Sequence, residues 1–120
     1  MRGEGYLTRP QQYALVYNEG SSWVNSLLVM KALPNGLTLS KYGISVGKRV
    51  GKAVVRNRVK RLLREILRVI RLEPGWDIIF IARPAASKAD YASLEKSVHD
   101  LLSRARLLAR EDDTVCLKTD

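Results

Sequence analysis

KAVVRNRVKRLLREILRVIRLEPGWDIIFIA, Lys52–Ala82, changes its hydrophobic period part-way along. Up to Leu72 the apolar residues recur at helical spacing. With Val55 as origin and ~100° per residue, Val59, Leu62, Leu63, Ile66, Val69 and Ile70 gather on one face. Asn57, Lys60, Arg61, Arg64, Arg68 and Arg71 fall opposite, and Arg56 and Arg58 flank the apolar stripe. Pro74-Gly75 stops this helix. WDIIFIA, Trp76–Ala82, then reads as a strand buried on both faces, ended by Arg83-Pro84. An amphipathic helix feeding such a strand predicts a sheet with helices laid on it.

Upstream, PQQYALVY (Pro10–Tyr17) reads as a short helix with proline in its first turn, broken by Asn18-Glu19-Gly20-Ser21-Ser22. Trp23–Leu33 is rich in strand formers, with room for a separate short strand around Trp23–Asn25. Pro34-Asn35-Gly36 turns the chain into a second extended run, Leu37–Val46. The two runs are expected to pair as antiparallel strands, with Gly43 as a weak point or a site of close approach. Downstream, a last helix over Tyr91–Leu108 carries the stripe Leu94, Val98, Leu101, Leu102, Ala105 and Leu108. The expected order is α-β-β-(β)-α-β-α. It describes an α+β protein, a two-layer sandwich of a small, mostly antiparallel sheet with helices. Residues 1–110 form one domain in this reading, and 111–120 a frayed polar tail.

The charge is as uneven as the hydrophobicity. Ten of the chain's 21 Lys and Arg residues lie between Lys48 and Arg71, interrupted by one acid, Glu65. That segment has a net charge of +9, equal to the net charge of the whole chain. Elsewhere the basic and acidic residues cancel. Surface helices ordinarily mix acids among their bases, because like charges at i,i+4 repel. Here Lys60, Arg64 and Arg68 follow one another at that spacing, as do Asn57 and Arg61. An external polyanion relieves such repulsion, and the preference for Arg suits bidentate contact with phosphate. Nucleic acid is therefore the expected partner.

Other uses of the stripe fit less well. A basic amphipathic helix can lie on a membrane, but in a 120-residue chain the apolar face is needed to cover the sheet. DNA readers of the zipper type carry a leucine heptad after the basic run, and none follows. One Cys and one His make no zinc-ligand set. The longest apolar runs, Leu27–Met30 and Ile78–Ala82, are too short to cross a bilayer. The N-terminus MRGEGYLTRP lacks the apolar stretch of a signal peptide. A single Cys116 permits no internal disulfide, so a cytoplasmic protein is expected.

The residues of Lys48–Glu65, KRVGKAVVRNRVKRLLRE, resemble the signature segment of the protein subunits of bacterial ribonuclease P. The pattern is a lysine-rich lead-in, a Gly-x-Ala-Val step (Gly51, Ala53, Val54), Arg56-Asn57-Arg58, then Lys60, Arg61 and Arg64. QYALVYNEG (Gln12–Gly20) is similar to that family's first helix and turn. YGISVGKR (Tyr42–Arg49) and WDIIFIARPA (Trp76–Ala85) are similar to the strands on either side of the basic segment. The resemblance implies a left-handed βαβ crossover from Tyr42–Val46 through the basic helix to Trp76–Ala82. This is contrary to the usual right-handed preference.

It also implies partners. Lys48, Arg49, Lys52, Arg56, Asn57, Arg58, Lys60, Arg61, Arg64 and Arg68 are expected to dock on a catalytic RNA subunit. A cleft between the first helix and the sheet is expected to receive the 5′ leader of precursor tRNA. Tyr13 and Tyr17, four apart on one helix face, stand where the family commonly has cleft aromatics. A base stacked on such a ring is worth ~1–3 kcal/mol. Lys31 occupies a strand position that is often aromatic in the family, exchanging stacking for phosphate attraction. The N-terminus MRGEGYLTRPQQ is less basic than the family's usual one.

No catalytic constellation is visible in the chain itself. His99 reads as a surface histidine on the last helix, Asp112 and Asp113 as tail residues, and Glu65 as an internal partner for Arg61 or Arg68. The resemblance implies that the RNA subunit carries the active site and binds Mg²⁺, with no cofactor required by the protein alone. Two readings follow. One is the protein subunit of a ribonucleoprotein endonuclease that matures tRNA 5′ ends. The other is a non-catalytic RNA-binding module, such as a ribosomal or chaperone-like protein.

Overall fold

The computed structural model describes residues 5–6 and 10–108, so Cys116, Asp112 and Asp113 lie outside the described residues. In chain order the elements are β1 (Gly5–Tyr6), α1 (Pro10–Glu19), β2 (Ser21–Val24), β3 (Leu28–Pro34) and β4 (Lys41–Ser45). A 3-10 turn (Lys48–Val50), α2 (Ala53–Val69), β5 (Trp76–Ala82), a second 3-10 turn (Pro84–Lys88) and α3 (Tyr91–Ala105) complete the chain. The fold is α+β. The short strand expected near Trp23 is present as β2. β1, two residues long, is too short to show a sequence pattern.

The strands are ordered β1-β4-β5-β3-β2. This overturns the expected pairing of the two extended runs, because β3 and β4 are not neighbours. β5 lies between them, antiparallel to β3 and parallel to β4, and β1 joins β4 in parallel. The sheet is thus mixed, and its longest ladder, between β3 and β5, is antiparallel. The reason lies in WDIIFIA itself. A strand apolar on both faces loses most by taking an edge, and the centre of the sheet buries it twice. Its entry is pinned by the loop it separates. The fully buried Ser40 hydroxyl donates to the Glu73 carbonyl and accepts from the Trp76 amide at 3.0 Å. Asn35 Nδ2 donates to Asp77 Oδ1 at 2.8 Å.

Side-chain alternation along β5 divides the core. Ile78, Phe80 and Ala82 face α2 and α3 together with Leu28, Met30, Ala32 and Tyr42. Ile79 faces the other way and packs under Val16 of α1, with Tyr13, Leu33 and Ile81 around it. The main two-layer packing is therefore sheet against α2 and α3, and α1 covers part of the opposite face.

α2 buries Val59, Leu63, Ile66 and Leu67. Its stripe is turned roughly 45° from the expected one on a 3.6-residue period. Leu67 is inside, and Val69 is 70% exposed. The helix also ends earlier than expected, at Val69, with Ile70 already extended (φ −89, ψ 138). A helix continued to Leu72 would aim that side chain roughly 200° away from the buried stripe. The extended segment instead buries both Ile70 and Leu72 and exposes Arg71 between them.

α3 starts on Asp90, whose carboxylate accepts from the Ser93 amide at 2.9 Å. That bond, followed by the Ser93 hydroxyl, holds the Asp90 carboxyl below its usual value of 3.8. The helix ends at Ala105 rather than Leu108, because Arg106 turns left-handed (φ 60) and the Leu107 amide bonds back to the Leu102 carbonyl at 2.9 Å. This is a Schellman closure, and it buries Leu107.

Asn25, between β2 and β3, ties the sheet to α3. Its Oδ1 accepts from the Leu27 and Leu28 amides and from Ser97 Oγ, at 3.1, 3.0 and 2.8 Å. Its Nδ2 donates to the Ser97 carbonyl at 3.1 Å and to Asp100 Oδ2 at 3.2 Å. Asn25→Ala leaves several of these groups without a partner, and is expected to lower the unfolding free energy by about 2 kcal/mol in urea denaturation. A change below about 0.5 kcal/mol, the size of an ordinary surface substitution, would contradict this role.

Candidate nucleic-acid interface

Beyond β4 the chain must cross from the sheet to the start of α2 while displaying three cations. The 3-10 turn does this by burying Val50 and leaving Lys48 and Arg49 exposed. Gly51 follows with φ +153, a conformation L side chains rarely adopt, and a Cβ there would press on the Val55 side chain at 3.1 Å. The backbone therefore reaches α2 in a way that favours glycine. Lys52 occupies the N-cap position in extended geometry, with no side-chain cap. The positive end of the helix dipole thus adds to the cationic lead-in.

Along α2 the polar face emerges as the period dictates. Asn57, Arg61, Arg64 and Arg68 are exposed, and Lys60 is half-buried. Among the described residues, none of these forms a hydrogen bond or ion pair through its side chain. Glu65 is exposed and pairs with neither Arg61 nor Arg68, contrary to expectation. An exposed i,i+4 pair gains only ~0.3–0.5 kcal/mol, too little to hold two long side chains together. Arg56 and Arg58 differ, being half-buried and bonded to backbone carbonyls. Arg56 Nε donates to the Gly51 carbonyl at 3.1 Å, and Arg58 Nη2 to the Ala89 carbonyl at 2.7 Å.

Tyr13, Tyr17 and Lys31 belong to the other side of the sheet. Tyr13 and Tyr17 lie one turn apart with ring centroids 6.5 Å apart, tilted by 40°. Tyr13 is half-buried, and its phenol rests where Gly43 leaves room. A Cβ at Gly43 would come within 2.3 Å of the Tyr13 hydroxyl oxygen. Gly43 is thus a site of close approach. Tyr17 is 38% exposed, so it is the freer of the two rings. Lys31 shares the sheet face of Ile79, and its Nζ donates to Ser22 Oγ at 2.9 Å. One of its three donors is thereby used. The aromatic pair and the basic stripe lie on opposite faces of the sheet.

Among the described residues no three His, Cys, Asp or Glu side chains converge as metal ligands. His99 is exposed on α3. No helix there is long and apolar enough to cross a membrane. The described residues thus present an exposed cationic helix face on one side of the sheet and an aromatic pair beside Lys31 on the other.

The family model described as Ribonuclease P matches residues 1–106. The chain belongs to the ribonuclease P protein family. A ribonuclease P protein component from Dehalococcoides mccartyi (strain CBDB1) is 44% identical over 120 residues, covering both chains fully. One from Caldanaerobacter subterraneus is 40% identical over 108 residues, 88% of this chain and 93% of its own. Among solved structures, the Staphylococcus aureus RNase P protein aligns with a TM-score of 0.78 at 28% identity, covering 91% of this chain and all of its own. The Thermotoga maritima RNase P protein gives 0.73 at 34% identity, covering 82% and 96%. As a ribonuclease P protein component, the chain is part of an endoribonuclease and works with an RNA partner. The reading as a stand-alone RNA-binding module is thereby set aside.

Two cations escaped the sequence reading. Lys41 shares the α1-side face of β4 with Gly43, as the period of two along Lys41-Tyr42-Gly43 would have indicated. Lys88 is exposed in the second 3-10 turn, which packs against the first. No local pattern signals that contact. Gly43→Ala is expected to cost about 1–3 kcal/mol by overpacking against Tyr13. The double variant with Tyr13→Ala should recover part of that loss, as a double-mutant cycle would measure. Strict additivity of the two changes would contradict the contact.

Proposed function

We propose that the exposed face of α2 and its lead-in dock this chain on the ribonuclease P RNA. The α1 side of the sheet then receives the 5′ leader of precursor tRNA. The observation that carries the reading is the row Arg61, Arg64 and Arg68, exposed and without partners among the described residues. Unpaired guanidinium groups at successive helical turns are spaced to meet successive phosphates. Each phosphate they neutralise releases condensed counterions, which drives association. Lys48, Arg49 and Lys52 extend the same surface, and Asn57 and Lys60 border it.

Tyr17 offers a ring face for an unstacked leader base, Tyr13 supports it from Gly43, and Lys31 supplies a phosphate contact with its remaining donors. A leader so held lies across the sheet from the RNA-docking helix, so the thin domain bridges catalyst and substrate. Mg²⁺ bound by the RNA supplies the charge stabilisation and activated water for phosphodiester hydrolysis. The protein lowers the repulsion between two polyanions and favours precursor over mature tRNA. Such work places the protein in the cytoplasm, with the tRNA precursors.

One filter-binding series tests both surfaces. Arg61→Ala and Arg64→Ala should each weaken binding to the ribonuclease P RNA and reduce the slope of log affinity against log salt by about one. Tyr17→Ala should leave that slope unchanged and reduce affinity of the assembled enzyme for leader-bearing tRNA about tenfold more than for mature tRNA. An unchanged slope in both arginine variants would sink the docking face. Equal losses for the two tRNAs would sink the leader assignment.

A further inference from the structure

The Arg-Asn-Arg triplet is not one uniform phosphate ligand. Its middle member, Asn57, is exposed and makes no side-chain bond among the described residues, whereas Arg56 and Arg58 each grip a carbonyl. The two carbonyls have matching places in the fold. Gly51 directly follows the first 3-10 turn, and Ala89 directly follows the second. Those turns pack on each other, each burying a small apolar side chain, Val50 and Ala86. Each arginine therefore reaches from the start of α2 to the exit of one turn.

We propose that Arg56 and Arg58 are positioning residues, which clasp both 3-10 turns onto the start of α2 and so set where Lys48, Arg49 and Lys52 stand relative to the helix face. The proposal rests on the docking reading above and deepens it. A clasp has work to do here. The lead-in carries three cations and no acid, and it approaches a helix whose exposed face is also cationic, so repulsion drives the two apart. The backbone bonds within the lead-in are few, from the Val50 amide to the Gly47 carbonyl at 3.1 Å and from Gly51 to Lys48 at 3.2 Å. Neither ties the lead-in to α2. Apart from the helix's own opening bond, from the Arg56 amide to the Lys52 carbonyl at 2.9 Å, the Arg56 side chain ties the lead-in to α2 directly. Arg58 does so through the second turn. Each uses a planar fork whose direction a lysine does not reproduce. Fixing the lead-in before RNA arrives reduces the ordering cost of binding.

The test uses lysine substitutions, which conserve charge, in the full chain titrated with ribonuclease P RNA at several salt concentrations. Arg106→Lys, at an exposed arginine outside the docking face, is expected to bind like the parent. Arg56→Lys and Arg58→Lys should lose roughly tenfold at every salt concentration, the worth of one charged hydrogen bond, with the salt slope unchanged. Gly51→Ala keeps every cation but strains the turn, and should show the same loss at the same slope. In the free protein, amide hydrogen exchange at Gly51–Ala53 and Ala89–Asp90 should quicken in the two clasp variants and stay unchanged in Arg106→Lys. Parent-level affinity and exchange in both clasp variants would overturn the proposal. So would an altered salt slope, which would make these arginines phosphate ligands, or an equal loss in Arg106→Lys. If Arg61→Ala and Arg64→Ala leave RNA binding intact, the docking face fails instead, and the exchange measurement still decides the clasp.

Discussion

A single helix, α2, has to close the hydrophobic core on one side and remain a dense row of unpaired cations on the other. The rest of the structure follows from that constraint. Burial of Val59, Leu63, Ile66 and Leu67 against the sheet holds the row in place despite its self-repulsion. Truncating any one of these to Ala typically costs about 2–5 kcal/mol. The i,i+4 repulsions it must outweigh are each only a few tenths of a kcal/mol. The fold can therefore carry an uncompensated charge row at modest cost, and a polyanion bound along the row would relieve that cost.

The sheet is arranged around the same helix. β5 follows α2 and is apolar on both faces, so it takes the centre of the sheet and separates β3 from β4. One face of β5 then supports α2 and α3, and the other supports α1 through Val16 and Ile79. The surfaces proposed for RNA docking and leader contact therefore lie on opposite sides of one layer. In that proposal the domain's contribution is electrostatic and geometric.

Much of this was legible in the sequence because it is periodic and local. The α2 and α3 stripes, the double burial of Trp76–Ala82 and the concentration of charge all appear within short windows. Long-range partnership was not legible. Nothing in Trp23–Leu33 or Leu37–Val46 says that a strand from beyond residue 75 will come between them. The early end of α2 reflects Leu72, whose burial needs the extended chain, and that of α3 reflects Leu107. Gly43 was recognisable as a weak point or a site of close approach, but the Tyr13 ring that fills its place comes from another element. Arg56 and Arg58 were legible as flanking the apolar stripe and, through the resemblance, as RNA-docking residues, but their carbonyl partners lie outside the helix. The family resemblance supplied the function from Arg56-Asn57-Arg58 and its flanks, where charge alone reached only a polyanion.

The central claim is that this chain contributes phosphate neutralisation and substrate placement while the chemistry resides in RNA. Cleavage of precursor tRNA at low Mg²⁺ tests it most directly, with the ribonuclease P RNA alone, the purified protein alone, and the two combined. The combination should release the 5′ leader efficiently, the RNA alone poorly, and the protein alone not at all. Cleavage by the protein alone, or no stimulation of the RNA by the protein, would contradict the account.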